Sequence, residues 1–215
     1  MGVKVYTANT VEPLTLAVVR AHLGIEPYDV DSSGEGDHPH DEMIMAMLGA
    51  AREYVEGFTG RSVALKTYEL ALDEFPEDEI ELPNPPVVSV TSVTYVTTDS
   101  GGDYVEETID TDAYTLDLNQ PISAWLKPAA GTSWPSASAV MNAVKIRYLA
   151  GYQDPEPESS APAAEALPYA IRAALLLMTG HLYANREAVS DKAMTTVPFA
   201  VDALLRPLRV LKGFA

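Results

Sequence analysis

Between Ser62 and Tyr152 one strand-like segment follows another, with short turns between them and no stretch of helical periodicity. "SVALKTYELALDEFP" partly alternates apolar and polar residues up to Pro76, and "VVSVTSVTYVTT" is dense in the Val and Thr that suit a pleated surface. The turn "DSGG", Asp99 to Gly102, predicts a hairpin with "DYVEETI" as the returning strand. "AYTLDL" and "ISAWLKP" are shorter candidates, and "AVKIRYLAGY" is a last strand ended by Gly151. Parallel neighbours would need long crossovers, which are absent, so the predicted sheet is antiparallel.

The flanking segments have the other periodicity. A short helix is predicted over Leu16–Leu23, with Thr15 as its cap and Gly24 just past its end. A polar stretch, "EPYDVDSSGEGDHPHDE", reads as a loop. A second helix should start near Asp41 as its N-cap. Ile44, Leu48, Ala51, Val55 and Phe58 then fall on one face, and Gly60 supplies the left-handed residue that ends the helix. "QDPEPESSAPAAEALP" is an exposed connector. A third helix is predicted over about Glu165 to Glu187, with Ile171, Leu175 and Met178 facing a core; Pro168 fits only within its first turn, which allows a start at Leu167. A short fourth helix, about Ala200 to Leu205, precedes Pro207 and the basic tail "LRVLKGFA". The fold class this implies is α+β: a small helical bundle with an antiparallel β subdomain inserted between the second and third helices. Its parts are residues 1–61 plus 162–215 for the helical core, 62–152 for the β subdomain and 153–166 for the connector.

Composition narrows the function classes. The 215 residues are 47% hydrophobic and contain no cysteine, which excludes a disulfide framework and thiolate chemistry. No apolar run approaches membrane-spanning length and "MGVKVYTANT" has no h-region, so neither a membrane span nor a signal peptide is expected. The net charge of −17 is unevenly spread. Residues 1–160 hold 8 basic and 27 acidic residues, a net −19, whereas residues 161–215 hold 6 and 4, a net +2. So acidic a chain gains little from counterion release, which argues against ordinary DNA binding. The mildly basic last quarter suits docking onto an acidic surface.

Few residues offer chemistry. "DHPHDE", Asp37 to Glu42, places His38 and His40 among three carboxylates, all metal-capable types, but reads more readily as a solvated loop leading into a helix. The acids of "EFPEDEIEL" could pair as in glycoside hydrolysis, or simply decorate a turn. Trp125 and Trp134 with Tyr95, Tyr104 and Tyr114 could make a carbohydrate platform, or fill the sheet's buried face. No phosphate-binding loop and no "GxSxG" elbow is present. The expectation is no enzyme activity, no cofactor and no metal.

"TLAVVRAHLGI", "AAREYVEGFTGRSV", "LDEFP" and "PPVVSVTSVTYV", followed by "VKIRYLAGY", "LPYAIRAALLLMTGHLYANREAV" and "VDALLRPLRV", resemble in order the head–tail connector proteins of tailed bacteriophages. Members with a β insertion fit best. The loop from Glu26 to His40 is longer and more polar than the family's pattern, and Val18 stands where that pattern usually has an acid. The resemblance implies a non-enzymatic adaptor at the virion neck, assembled in the host cytoplasm. Such an adaptor forms a homo-oligomeric ring, commonly dodecameric, beneath the portal protein and extends the DNA channel. The tail or a next connector attaches to it, and double-stranded DNA passes without sequence-specific binding. The alternative is a soluble carbohydrate- or protein-binding β module on a helical base.

Under the connector reading the tail carries the partner contacts. Pro207 interrupts the last helix, and the tail's cations orient an arm whose apolar residues need cover. Arg206, Arg209, Leu211, Lys212 and Phe214 are the candidate residues for docking on the portal or an adjacent subunit, with Leu211 and Phe214 as anchors; the alternative is that the arm folds back on its own subunit.

Overall fold

The computed structural model describes residues 2–8, 11–27, 36–119, 122–152, 165–186 and 199–210. The chain forms an α+β fold of two compact units: Met1–Thr10 with Ala64–Glu165, and Val11–Val63 with Ala166–Ala215. Among the described residues no helix is long and apolar enough to cross a membrane.

Among the described residues the first unit holds eight strands. They are β1 (Gly2–Thr7), β2 (Lys66–Leu72), β3 (Ile80–Leu82), β4 (Val87–Thr98), β5 (Tyr104–Thr108), β6 (Tyr114–Asp117), β7 (Ala124–Pro128) and β8 (Val144–Ala150). They make two sheets, ordered β1-β2-β8-β4-β5 and β3-β7-β6, and every pairing is antiparallel. Strand β8 lies at the centre of the larger sheet, and its burial alternates cleanly. Val144, Ile146, Tyr148 and Ala150 are buried, and the residues between them are half-exposed on the other face. Opposite them on β2, Tyr68 faces Tyr148 and Leu70 faces Ile146. Ile80, Leu82, Ala124 and Leu126 of the smaller sheet complete the same apolar core. Each fully buried Val, Leu or Ile of this core contributes about 1.5–3 kcal/mol when removed from water. The Tyr148 hydroxyl, deep in this core, donates to the Pro83 carbonyl at 2.9 Å, and burial pushes its pKa up.

The hairpin of β4 and β5 turns where expected. Asp99 Oδ1 accepts from the backbone N–H groups of Gly101 and Asp103 at 2.8 and 2.9 Å, which holds the turn shut. Two strands depart from the sequence reading. The segment "GVKVYT", grouped above with the helical residues 1–61, instead pairs with β2 as an edge strand. The acids before Leu82 do not form a turn throughout, since Ile80 and Leu82 are buried in strand β3 with Glu81 exposed between them. Three residues are too few for alternation to register against so many charges.

The second unit holds helices α1 (Leu16–Leu23), α2 (Asp41–Thr59), α3 (Tyr169–Ala184) and α4 (Phe199–Leu205). Ile44, Leu48, Ala51 and Val55 of α2 are fully buried with Ile171, Ala174 and Leu175 of α3, and Met178 is nearly so. Val19 of α1 and Val201 and Leu205 of α4 fill the remaining core. Thr15 caps α1, and Gly24 closes it at φ +67°.

Two helix starts are corrected. Asp41 is the first helical residue of α2, and His40 precedes it. Its carboxylate serves other partners, pairing with the Arg20 guanidinium and accepting from the His38 N–H at 2.8 Å. The Arg20 hydrogen bond outweighs burial and holds the Asp41 carboxyl below its usual range. Helix α3 begins at Tyr169 rather than Glu165, because Pro168 can accept from Arg172 N–H at 3.0 Å but cannot donate within a helix. Its expected end at Glu187 lies outside the described residues.

Candidate interaction surfaces

The end of α2 is where the second unit receives its tail. Gly60 takes φ +71°, ending the helix, and its N–H still reaches the Glu56 carbonyl at 2.9 Å. The Thr59 carbonyl is then one of the helix-end acceptors that the helix itself cannot satisfy. The Val210 N–H fills it at 2.7 Å. One residue beyond the glycine, Arg61 Nε donates to the Leu208 carbonyl at 2.7 Å. The Arg209 guanidinium lies 5.7 Å from the centre of the Phe58 ring. Pro207 does break α4, but into a 3-10 turn at Arg206–Leu208 rather than a departing arm. As far as Val210 the tail lies against its own unit.

Of the five candidate docking residues, Arg206 and Arg209 are exposed on this folded-back segment. Leu211, Lys212 and Phe214 lie outside the described residues. The structure therefore places the root of the tail, held at the left-handed end of α2.

The histidine-rich loop is occupied by internal bonds. His40 N–H donates to His38 Nδ1 at 3.0 Å, the two rings meet edge to face at 4.9 Å, and His40 Nδ1 lies 2.7 Å from the Tyr183 hydroxyl on α3. Among the described residues no group of three or more His, Cys, Asp or Glu is placed to hold a metal. On the same unit Arg52 bridges Glu12 at 2.8 Å and Glu56 at 3.2 Å. Glu56 also accepts from the Val63 N–H at 3.0 Å, bracing the chain as it leaves α2.

The five aromatics read as a carbohydrate platform do not converge. Trp134 stacks on Phe75 at 5.0 Å and Tyr95 meets that ring edge to face at 5.9 Å, all against the core. Trp125 turns its Nε1–H to Ser123 Oγ at 3.0 Å, Tyr114 packs on the core, and Tyr104 is exposed on β5. In the acidic stretch, Glu79 pairs with Lys127 and the Asp78 carbonyl accepts from Trp134 Nε1–H.

Sequence reading missed one edge of the larger sheet, strand β1. Every residue of β1 and every residue of β5 is exposed, and these strands lie at opposite ends of the sheet. The signal was present in the period-2 pattern of "GVKVYT", but the segment is short and opens the chain. On one face Lys4 of β1 and Arg147 of β8 both reach Glu69 of β2 at 2.8 Å, and the Arg147 guanidinium sits 3.9 Å above the Tyr6 ring. Burial alone would raise the Glu69 carboxyl, but its hydrogen bonds from Lys4 and Arg147 outweigh that and hold it low. In the helical unit the most exposed large apolar side chains are Tyr169 at 89% and Phe199 at 86%.

No family model matches the chain, and no curated protein sequence matches it. Solved structures share its fold from end to end. A chain in the neck of an empty gene transfer agent (GTA) particle, computed with C6 symmetry, is 24% identical with a TM-score of 0.73, over 100% of this chain and 98% of that one. A chain in the virion of the native particle is 24% identical with a TM-score of 0.70 over the same shares. A chain in the neck of the native particle, computed with C12 symmetry, is 21% identical with a TM-score of 0.64, again over 100% and 98%.

Proposed function

We propose that this chain is a non-enzymatic structural subunit of the neck of a phage-like particle, a head–tail connector that closes a ring beneath the portal. The observation that carries the reading is the end-to-end likeness to chains of GTA neck structures, in which both units take part. A ring of twelve copies obeys both the C6 and the C12 symmetry of those necks, and twelve is the number proposed here. The net charge of −17 suits a DNA conduit, because a wall that repels phosphate lets DNA slide through without sequence-specific binding.

In this role the tail docks on the portal or on the adjacent subunit. Arg206 and Arg209 are presented from a root that is hydrogen-bonded to the end of α2, and the residues beyond Val210 supply Leu211, Lys212 and Phe214 as the contact. The other face of the ring receives the tail or a further connector.

Negative-stain microscopy of the purified protein, alone and with its portal, tests the ring. Closed rings seated on the portal are expected, and a protein that stays monomeric at high concentration and ignores the portal would refute the reading. Truncation after Val210 tests the tail, since it spares both bonds that anchor the root. The truncated protein should melt as the full chain does and fail to dock. Normal docking of the truncated protein would remove the tail from the interface.

A further inference from the structure

Among the described residues the larger sheet has five strands, an odd number. Because every pairing is antiparallel, the two outermost strands, β1 and β5, run in the same direction. Among the described residues neither has a strand on its outer side, so each offers a row of unpaired backbone donors and acceptors.

The side chains on the two edges match face by face. The register puts Val3 and Val5 on the core face, opposite Leu70 and Tyr68, and puts Lys4 on the other face, opposite Glu69. On β5 the core face carries Val105 and Glu107, and the other face carries Tyr104 and Glu106, which reaches Lys145 at 2.9 Å. A second copy added at the edge with its faces in the same sense therefore sets Val3 and Val5 beside Val105. It also sets Lys4 beside Glu106. The Lys4 side chain is 68% exposed and that of Glu106 is 49% exposed, so both retain room for a further partner.

We propose, on the basis of the ring reading above, that β5 of one copy pairs with β1 of the next, so that the sheet runs on from subunit to subunit. A rotation about a ring axis carries strand direction and face sense nearly unchanged into the next copy, so this junction is parallel and head-to-tail. The charges oppose the wrong pairings. Two β5 edges would bring Glu106 and Glu107 against their own copies, and two β1 edges would bring Lys4 against itself, whereas the mixed junction joins opposite signs.

The absence of cysteine from the chain makes crosslinking a clean test. Val3→Cys with Val105→Cys, and separately Val5→Cys with Val105→Cys, sample neighbouring registers. Within one chain β1 and β5 are four strand spacings apart, about 19 Å, far beyond the Cα separation of about 7 Å that a disulfide spans. Oxidation of assembled protein should give a ladder extending past the dimer for at least one pair, while each single variant stays uncrosslinked. Dimers from Val3→Cys or Val5→Cys alone would mean that β1 pairs with β1, which overturns the proposal. Rings visible by microscopy but no ladder from either pair would overturn the edge junction and leave the ring standing. No rings and no ladder would overturn both. A second variant guards against loss of fold: Val3→Glu with Val5→Glu changes two exposed residues and should abolish rings without lowering the melting temperature. Wild-type rings from that variant would also overturn the junction.

Discussion

Gly151 lies so close against Ala64 that a Cβ on it would sit 2.3 Å from the Ala64 carbonyl oxygen and 2.5 Å from its carbonyl carbon. The neighbour is backbone held by a bridge between Ala64 and Tyr152, and Gly151 is itself fixed by its N–H bond to the Pro86 carbonyl at 2.8 Å. Gly151 also has φ +129°, which L side chains rarely adopt. Gly151→Ala should therefore destabilise the protein by about 2–4 kcal/mol, combining overpacking with backbone strain. Thermal melting measures it, and a wild-type midpoint would show that this strand exit gives way easily.

Gly60 makes a different demand. A Cβ there would meet Val210 Cβ at 3.6 Å and its carbonyl oxygen at 3.8 Å, which is ordinary contact, so the constraint is φ +71° alone. Gly60→Asn should be tolerated, because Asn visits the left-handed region. Gly60→Val should cost about 1–3 kcal/mol and loosen the tail root. Equal melting of the Asn and Val variants would contradict the assignment of the strain to φ.

Leu48 and Leu175 are both fully buried in the helical unit, one on α2 and one on α3. Truncation of either to Ala should cost about 2–5 kcal/mol. Chemical denaturation checks this, and the midpoint should fall with little change in slope.

Glu69 links the edge strand to the sheet, and its sign of pH dependence follows from its lowered pKa. A carboxyl held below its ordinary 4.5 contributes stability above that value and loses it as the pH falls through the lowered value. Glu69→Gln should cost about 1–2 kcal/mol at neutral pH, modest because Lys4 is largely exposed. The difference between wild type and variant should shrink in melts below pH 4.5. A difference that stays constant into acid would mean that the carboxylate charge is not what stabilises the edge.

Much of the architecture was legible in local pattern. The stripe of Ile44, Leu48, Val55, Ile171, Leu175 and Met178 predicted a buried helical core, because a period near 3.6 has no other use in so polar a context. The hairpin at Asp99 and the left-handed end at Gly60 followed from residue types that few conformations accept. The candidate cations Arg206 and Arg209 were visible as a charge reversal in an acidic chain.

What the tertiary structure alone decided is which partners distant segments find. Nothing local to "GVKVYT" says that it pairs with Lys66–Leu72, since strand pairing is a long-range choice made by the edge of an existing sheet. Asp41 reads as a helix cap until Arg20 takes its carboxylate. Pro207 allows an arm that departs or one that folds back on its own subunit, and the unsatisfied Thr59 carbonyl, drawing in Val210, decides for the second as far as that residue. Gly151 reads as a strand terminator, yet its lack of a side chain is required by the backbone of Ala64, 87 residues earlier. Periodicity and residue type act within a turn or two of chain, and so they determined the elements. Unsatisfied polar groups and close packing act across space, and so only the folded chain could decide their partners.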